Sequence, residues 1–328
     1  KQLGADAKGI KSCTELINRT IEKAASEGGG TIYFPAGTYL TATIHMKSNI
    51  TLYLESGAVL RFSDKFEDYL PFVTLRWEGT VMKSLSPLIY AHSADNVTIS
   101  GRGTLDGNGL KWWLWEFDTR KVIKENGGKL PALDKLQQMW VDANKNLEIS
   151  DYYKPSLERR MFRPPFIQFY ECTNILIENV KIINSPFWTI NPAFCDNVTI
   201  HGVTINNPSS NPKGPNTDGI NPSSCRNVRI SDCFISVGDD CITIKSGRDA
   251  DGRKYGKACE NITITNCIML SGHGGVVIGS EMSGGVKRVA ISNCVFDGTN
   301  AGIRLKASRG RGGVVEDIRV DNIVMKNI

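Results

Sequence analysis

Asn227-Val228-Arg229-Ile230-Ser231-Asp232-Cys233-Phe234-Ile235 returns as Asn261-Ile262-Thr263-Ile264-Thr265-Asn266-Cys267-Ile268-Met269, and again as Arg288-Val289-Ala290-Ile291-Ser292-Asn293-Cys294-Val295-Phe296. Each copy alternates apolar and polar residues, the period of a strand with one buried face, and a polar pair before the cysteine breaks the alternation as a turn does. The same strand opens at Asn174, Asn197 and Asp317, so successive copies begin 23 to 34 residues apart. Two earlier copies, Asn49-Ile50-Thr51-Leu52 and Asn96-Val97-Thr98-Ile99, stand 47 residues apart, near two turns of the same repeat. Short strands at this period predict an all-β solenoid of the parallel β-helix type. A leucine-rich repeat or a propeller with blades of ~40 residues would leave other signatures.

The reading gives one domain over residues 1–328, with a cap over about 1–30. Ser12-Cys13-Thr14-Glu15 reads as a capping box, Leu16, Ile17, Thr20, Ile21 and Ala24 as one helical face, and Gly28 as the stop. Such a helix covers the open end of the first coil. The repeat lapses over about 106–163, where Trp112-Trp113-Leu114-Trp115 and a charged, helical-looking stretch form an insertion. Its tryptophans either stack on sugars or glue the insertion to the coils. The chain stops on a repeat strand, Asn322-Ile323-Val324-Met325, which predicts a natural chain continuing past residue 328.

With 41% hydrophobic and 22% charged residues, 328 residues can bury a large core. A net charge of +5 without a dense Lys/Arg block argues against a nucleic-acid partner. No run approaches the ~18 apolar residues of a membrane span. Nine cysteines form no C-x-x-C pair, and Cys233, Cys267 and Cys294 share one place in three repeats. They are expected to be stacked core thiols, neither metal ligands nor a disulfide framework. Asn18, Asn49, Asn96, Asn197 and Asn261 each open an Asn-x-Thr triplet. Four coincide with the repeat, so their side chains are expected to bond turn backbone.

A third strand type carries polar chemistry: Asp218-Gly219-Ile220, Asp239-Asp240-Cys241-Ile242-Thr243-Ile244-Lys245, His273-Gly274-Gly275-Val276 and Asn300-Ala301-Gly302-Ile303-Arg304-Leu305-Lys306. Aligning Ile220, Ile242, Val276 and Ile303 as inward residues stacks three acids, an imidazole and two cations over about three coil steps, ~14 Å. Asp239, His273, Arg304 and Lys306 share an outward parity, while Asp218 and Asp240 lie at the turn. Acids this close resist joint ionisation, so at least one is expected to carry a raised pKa. Two reactions on a sugar polymer suit such a set. Inverting glycoside hydrolysis needs an acid and a base, and β-elimination on a uronate needs Ca²⁺ on the acids and a basic residue. Arg304 and Lys306 also suit pairing with a sugar carboxylate. A non-catalytic β-helix that binds acidic glycan is a third reading.

Asn216-Thr217-Asp218, Gly238-Asp239-Asp240, Gly272-His273-Gly274 and Arg304-Leu305-Lys306, in this order, resemble the motifs of glycoside hydrolase family 28, the polygalacturonases and their relatives. Gly28 to Gly37, Gly101 to Gly107 and Asn184-Ser185-Pro186-Phe187-Trp188 extend the likeness over nearly the whole chain. Ser271 before the third motif and Leu305 in the fourth are small departures at structural positions. The resemblance implies a right-handed parallel β-helix that cleaves α-1,4-linked galacturonic acid in polygalacturonate with inversion. It implies no metal or cofactor. It makes Asp239 the general acid, Asp218 and Asp240 the carboxylates that activate water, and His273 the residue that tunes the acid. Arg304, Lys306 and Asn216 are then the substrate-binding residues. The 106–163 insertion and the Gly279 to Gly285 stretch are similar to bacterial members that remove sugars from chain ends, which implies exo action. Endo action and a rhamnogalacturonan-type hydrolase are the alternatives within the family. A galacturonate polysaccharide or oligosaccharide is the expected partner of a monomer that works secreted or in a periplasm.

Overall fold

Ile175 pairs directly with Val198, and the file continues through Val228, Ile262, Val289 and Ile318. Ile177, Ile200, Ile230, Ile264, Ile291 and Val320 form a second file two residues on. Like side chains therefore stack at the ~4.8 Å spacing of adjacent strands, and each coil buries its apolar face on the next. The computed structural model that shows this describes residues 4–129, 132–147 and 163–328. Its largest sheet has 17 strands, all paired in parallel, and one hydrophobic core runs from Cys13 to Phe296. Another face begins with the parallel strands Ile44–His45, Ile89–His92 and Ile167–Tyr170. Bridges at Ile190 and Ile220 carry it on to Ile242–Ile244, Val276–Ile278 and Ile303–Leu305. A hairpin, Val73–Trp77 with Thr80–Ser84, is antiparallel.

The residue opening each repeat is left-handed: φ is 62° at Asn49, 55° at Asn96, 57° at Asn227 and 58° at Asn261. Asparagine tolerates this region better than other side chains do. The expectation that these amides bond turn backbone is corrected. They bond one another across coils, Asn96 Nδ2 to Asn49 Oδ1 at 2.8 Å, Asn197 to Asn174 at 2.7 Å and Asn261 to Asn227 at 2.9 Å. Repetition places identical amides a strand spacing apart, so the nearest acceptor is the next copy. Asn18 lies outside the ladder and ties the first helix to Thr43 O and His45 N.

All nine cysteines are buried and free. Besides the column of Cys233, Cys267 and Cys294, a second column holds Cys172, Cys195, Cys225 and Cys259, each just before a paired strand position. Their thiols reach backbone carbonyls, as Cys233 does to Ser231 O at 3.2 Å.

The first helix, Thr14–Ser26, buries Ile17 and Ile21 against the first coil. No capping box forms: Cys13 is the N-cap and makes no side-chain cap bond. Thr14 instead turns its hydroxyl to Ala42 N at 2.6 Å, a bond to the coil that the local pattern does not contain. The chain leaves the helix through Gly28 and Gly29, and a Cβ on Gly29, at φ 125°, would lie 2.5 Å from Asn49 O. The described part of the insertion forms the helices Leu110–Glu125 and Lys135–Ala143. Trp112 is fully buried and stacks on Phe66 at 4.2 Å, and Trp113 is buried with its indole N–H on Ser185 O. These two rings are thus occupied in packing. Residues 148–162 of the insertion lie outside the described residues.

Candidate active site

Ile220 bridges Ile242, Ile242 pairs with Val276, and Val276 with Ile303, the alignment read from sequence. The register sets Asp218, Asp240 and Gly274 in one file two residues earlier. Thr217, Asp239 and His273 form the file beside it, and Lys245 and Lys306 stand three residues after the inward file. Glycines let this region close. A Cβ on Gly275 would lie 2.8 Å from Gly302 O, and one on Gly238 2.2 Å from Gly214 O, where the 208–214 loop crosses the site. Gly274 packs beside Asp240, for a Cβ there would stand 3.4 Å from Asp240 Oδ1.

The three acids differ in surroundings. Asp240 is buried, takes Lys306 Nζ on Oδ2 at 2.6 Å, and keeps a buried Oδ1 without a hydrogen-bond partner. Asp218 is buried and accepts from Asn221 Nδ2 at 3.1 Å and Thr243 Oγ1 at 3.4 Å. Burial, then the charges of Asp239 and Asp240, push its pKa well up against the pull of Lys245 and Lys306. Asp239 Oδ1 meets His273 Nδ1 at 3.0 Å, and Oδ2 faces Asn216 Nδ2 at 3.5 Å. Burial raises the Asp239 pKa, but the hydrogen bond from His273 and the charges of Lys306 and Lys245 leave it lowered. Of the acids, Asp218 is the one whose surroundings favour the protonated form. A donor role for Asp239 requires a proton brought to it on binding.

Of the two cations, Lys306 is engaged on Asp240, whereas Arg304 is exposed and makes no ion pair among the described residues. Asp239, Asp240 and His273 offer ligand atoms within 4.8 Å of one another, a geometry that a metal ion could use. Lys306 already supplies a cation to Asp240 Oδ2, so a metal there would have to take Oδ1 beside a bound ammonium.

Several participants escaped the reading of the sequence. Lys245 stands in the quoted Asp239 to Lys245 stretch, but only the fold shows it buried, 2.7 Å from Glu281 and 4.6 Å from the ring centre of Trp188. Arg163, at the edge of the insertion, donates to Asn216 Oδ1 at 2.9 Å and Pro215 O at 2.6 Å, with Glu116 Oε2 3.5 Å from its Nε. A guanidinium only donates, so it fixes the Asn216 amide with Nδ2 toward Asp239. Lys213 Nζ lies 2.7 Å from His273 Nε2. None of these carries a local signal, because each partner lies at least 36 residues away in the chain.

The family profile described as Glycosyl hydrolases family 28 matches residues 153–328, and one described as Rhamnogalacturonase A/epimerase, pectate lyase-like matches residues 1–68. The chain is 34% identical to a probable polygalacturonase of Vitis vinifera over 94% of its own length and 56% of that protein's. It therefore spans little more than half of that relative. An endo-polygalacturonase of Pectobacterium carotovorum subsp. carotovorum is 29% identical over 99% of this chain and 74% of its own. Among solved structures, a hyperthermoactive exopolygalacturonase from Thermotoga maritima superposes with a TM-score of 0.82 at 38% identity, covering 99% of this chain and 74% of that one. The architecture shared with such neighbours is the right-handed parallel β-helix.

Proposed function

The chain belongs to glycosyl hydrolases family 28, and we propose that it hydrolyses the α-1,4 bonds of polygalacturonate with inversion, removing sugars from chain ends. One observation carries this reading: three carboxylates on adjacent coils, each in a different electrostatic setting, beside an Arg304 that makes no ion pair among the described residues. Asp240, paired with Lys306, takes the proton of the attacking water on its unpartnered Oδ1. Asp218, whose burial favours its protonated form, donates a hydrogen bond that orients this water. As the water oxygen bonds to the anomeric carbon, the bond to the leaving sugar breaks and Asp239 gives its proton to the leaving oxygen. Arg304 takes a uronate carboxylate, and Asn216 steadies Asp239 beside the substrate.

Incubation with polygalacturonate and a chelator should release reducing ends without unsaturated product. Calcium-dependent unsaturated ends would overturn hydrolysis in favour of elimination. Asp239→Asn should lower the rate by at least ~100-fold with substrate affinity kept, and a wild type without turnover on any pectic polymer would leave only glycan binding. Exo action is supported by the 38% identity to the Thermotoga maritima exopolygalacturonase, and endo action by the 29% identity to the Pectobacterium endo-polygalacturonase. Sizing early products decides, since monomer alone means exo and a ladder means endo. A polymeric substrate places the reaction outside the cytoplasm, secreted or periplasmic. No helix among the described residues is long and apolar enough to cross a membrane.

A further inference from the structure

We propose that Lys213 is a substrate-sensing cation, which holds His273 in one tautomer in the free protein and is drawn away by a uronate carboxylate when the glycan binds. The proposal rests on the galacturonan reading above. An ammonium has donors only, so at 2.7 Å from Lys213 Nζ the His273 Nε2 must accept. The ring is then neutral with its proton on Nδ1, and that N–H donates to Asp239 Oδ1 at 3.0 Å. On the other oxygen, Arg163 turns the Asn216 N–H group toward Asp239. Two donor-only cations thus make both neighbours of Asp239 into donors. This serves a carboxylate and opposes the acid form that the reaction requires.

Lys213 is the releasable member. It is exposed, it has no acidic partner among the described residues, and it rides on a loop pinned at Gly214 N to Pro208 O and at Thr217 Oγ1 to Gly214 O. The remaining charged groups at this site, Asp218, Asp240, Lys245, Arg304 and Lys306, belong to the coils beneath. A galacturonan carries a carboxylate on every ring, and an ammonium binds a carboxylate more strongly than a neutral imidazole. Once Lys213 turns to it, Nε2 can take a proton from solvent. The Nδ1–H bond then breaks as Asp239 Oδ1–H forms, and the ring returns to neutrality with its proton on Nε2. An uncharged sugar leaves the lock closed.

The chain has four histidines, so ¹⁵N-labelled imidazoles can be resolved by NMR. Ligand-free wild type should show His273 protonated at Nδ1. Lys213→Met should lose that preference, and Lys213→Arg should keep it. Galacturonate should protonate Nε2 in wild type, whereas galactose should not. On polygalacturonate at low salt, Lys213→Met should raise KM about tenfold, with the arginine variant within about threefold of wild type. An unchanged His273 tautomer in Lys213→Met, or the same response to galactose, would overturn the proposal. Absence of turnover on pectic polymers would sink the hydrolase reading alone, because the ligand-free spectrum tests the lock without catalysis.

Discussion

Replacing Lys245 with methionine tests whether the buried cation under the acids is held as the structure indicates. Lys245 Nζ lies 2.7 Å from Glu281 Oε2, and both side chains are nearly inaccessible. Burial alone would raise the Glu281 pKa. The charge and hydrogen bond of Lys245, helped by a backbone N–H and the charge of Arg248, together outweigh burial and draw it from its ordinary 4.5 down to about 2. At ~1.36 kcal/mol per pH unit this linkage is worth about 3 kcal/mol at neutral pH. The Lys245 pKa is displaced upward, where burial is opposed by the combined pull of Glu281, Asp218 and Asp240; its Glu281 part is the same interaction seen from its other end and is not added. Methionine leaves a buried carboxylate without its cation, so Lys245→Met should destabilise the protein by about 3–5 kcal/mol at pH 7.

The sign with pH follows from the folded value lying below the unfolded one. The contribution is fully present above pH 4.5 and is lost as pH falls toward about 2. In the variant, burial favours protonated Glu281, so the gap to wild type should shrink by about half by pH 3. Urea titrations followed by tryptophan fluorescence at pH 7 and pH 3 measure both values. A loss below ~1 kcal/mol at pH 7, or an equal loss at the two pH values, would refute the reasoning. Lys245→Met with Glu281→Leu should recover most of the loss, since a buried pair replaced as a unit is often nearly neutral.

Arg304→Ala should raise KM on polygalacturonate about tenfold with kcat within threefold, and the effect should fade at high salt, as initial rates at two ionic strengths would reveal. Lys306→Met should instead lower kcat by at least ~100-fold, because the buried Asp240 loses its ion pair; a pure KM effect in steady-state kinetics would contradict this. Gly274→Ala puts a Cβ 2.3 Å from Val277 Cγ2 and should destabilise by ~1–3 kcal/mol in a denaturant titration while reducing activity. In the asparagine ladder, Asn227→Ala should cost about 1 kcal/mol through its left-handed φ of 57°, and Asn227→Gly less than half of that, by thermal melting.

Much of the fold was legible because a solenoid turns three-dimensional neighbourhood into sequence period. The repeat aligns Ile220, Ile242, Val276 and Ile303 in the observed register, and with it stacks Asp218 on Asp240 and Asp239 on His273. The local devices were less legible. Thr14 bonds to Ala42 in place of a capping box, and the asparagines bond one another in place of turn backbone, because in each case a partner from another coil stands closer than the local one. The buried Trp112 and Trp113 could not be told from sugar platforms while the surface they meet was unknown.

By itself, the sequence determined the β-helix, its inward files and the company of Asp218, Asp239, Asp240, His273, Arg304 and Lys306, since all of these follow from period and parity. The tertiary structure alone decided the electrical state of that company. Which acids are buried, that Lys306 is engaged while Arg304 makes no ion pair among the described residues, and that Lys213, Arg163 and Lys245 surround the acids depend on how coils stack and loops fold across them. Charges act through space over a few ångströms, and no spacing in the chain records which distant ammonium or guanidinium will end there.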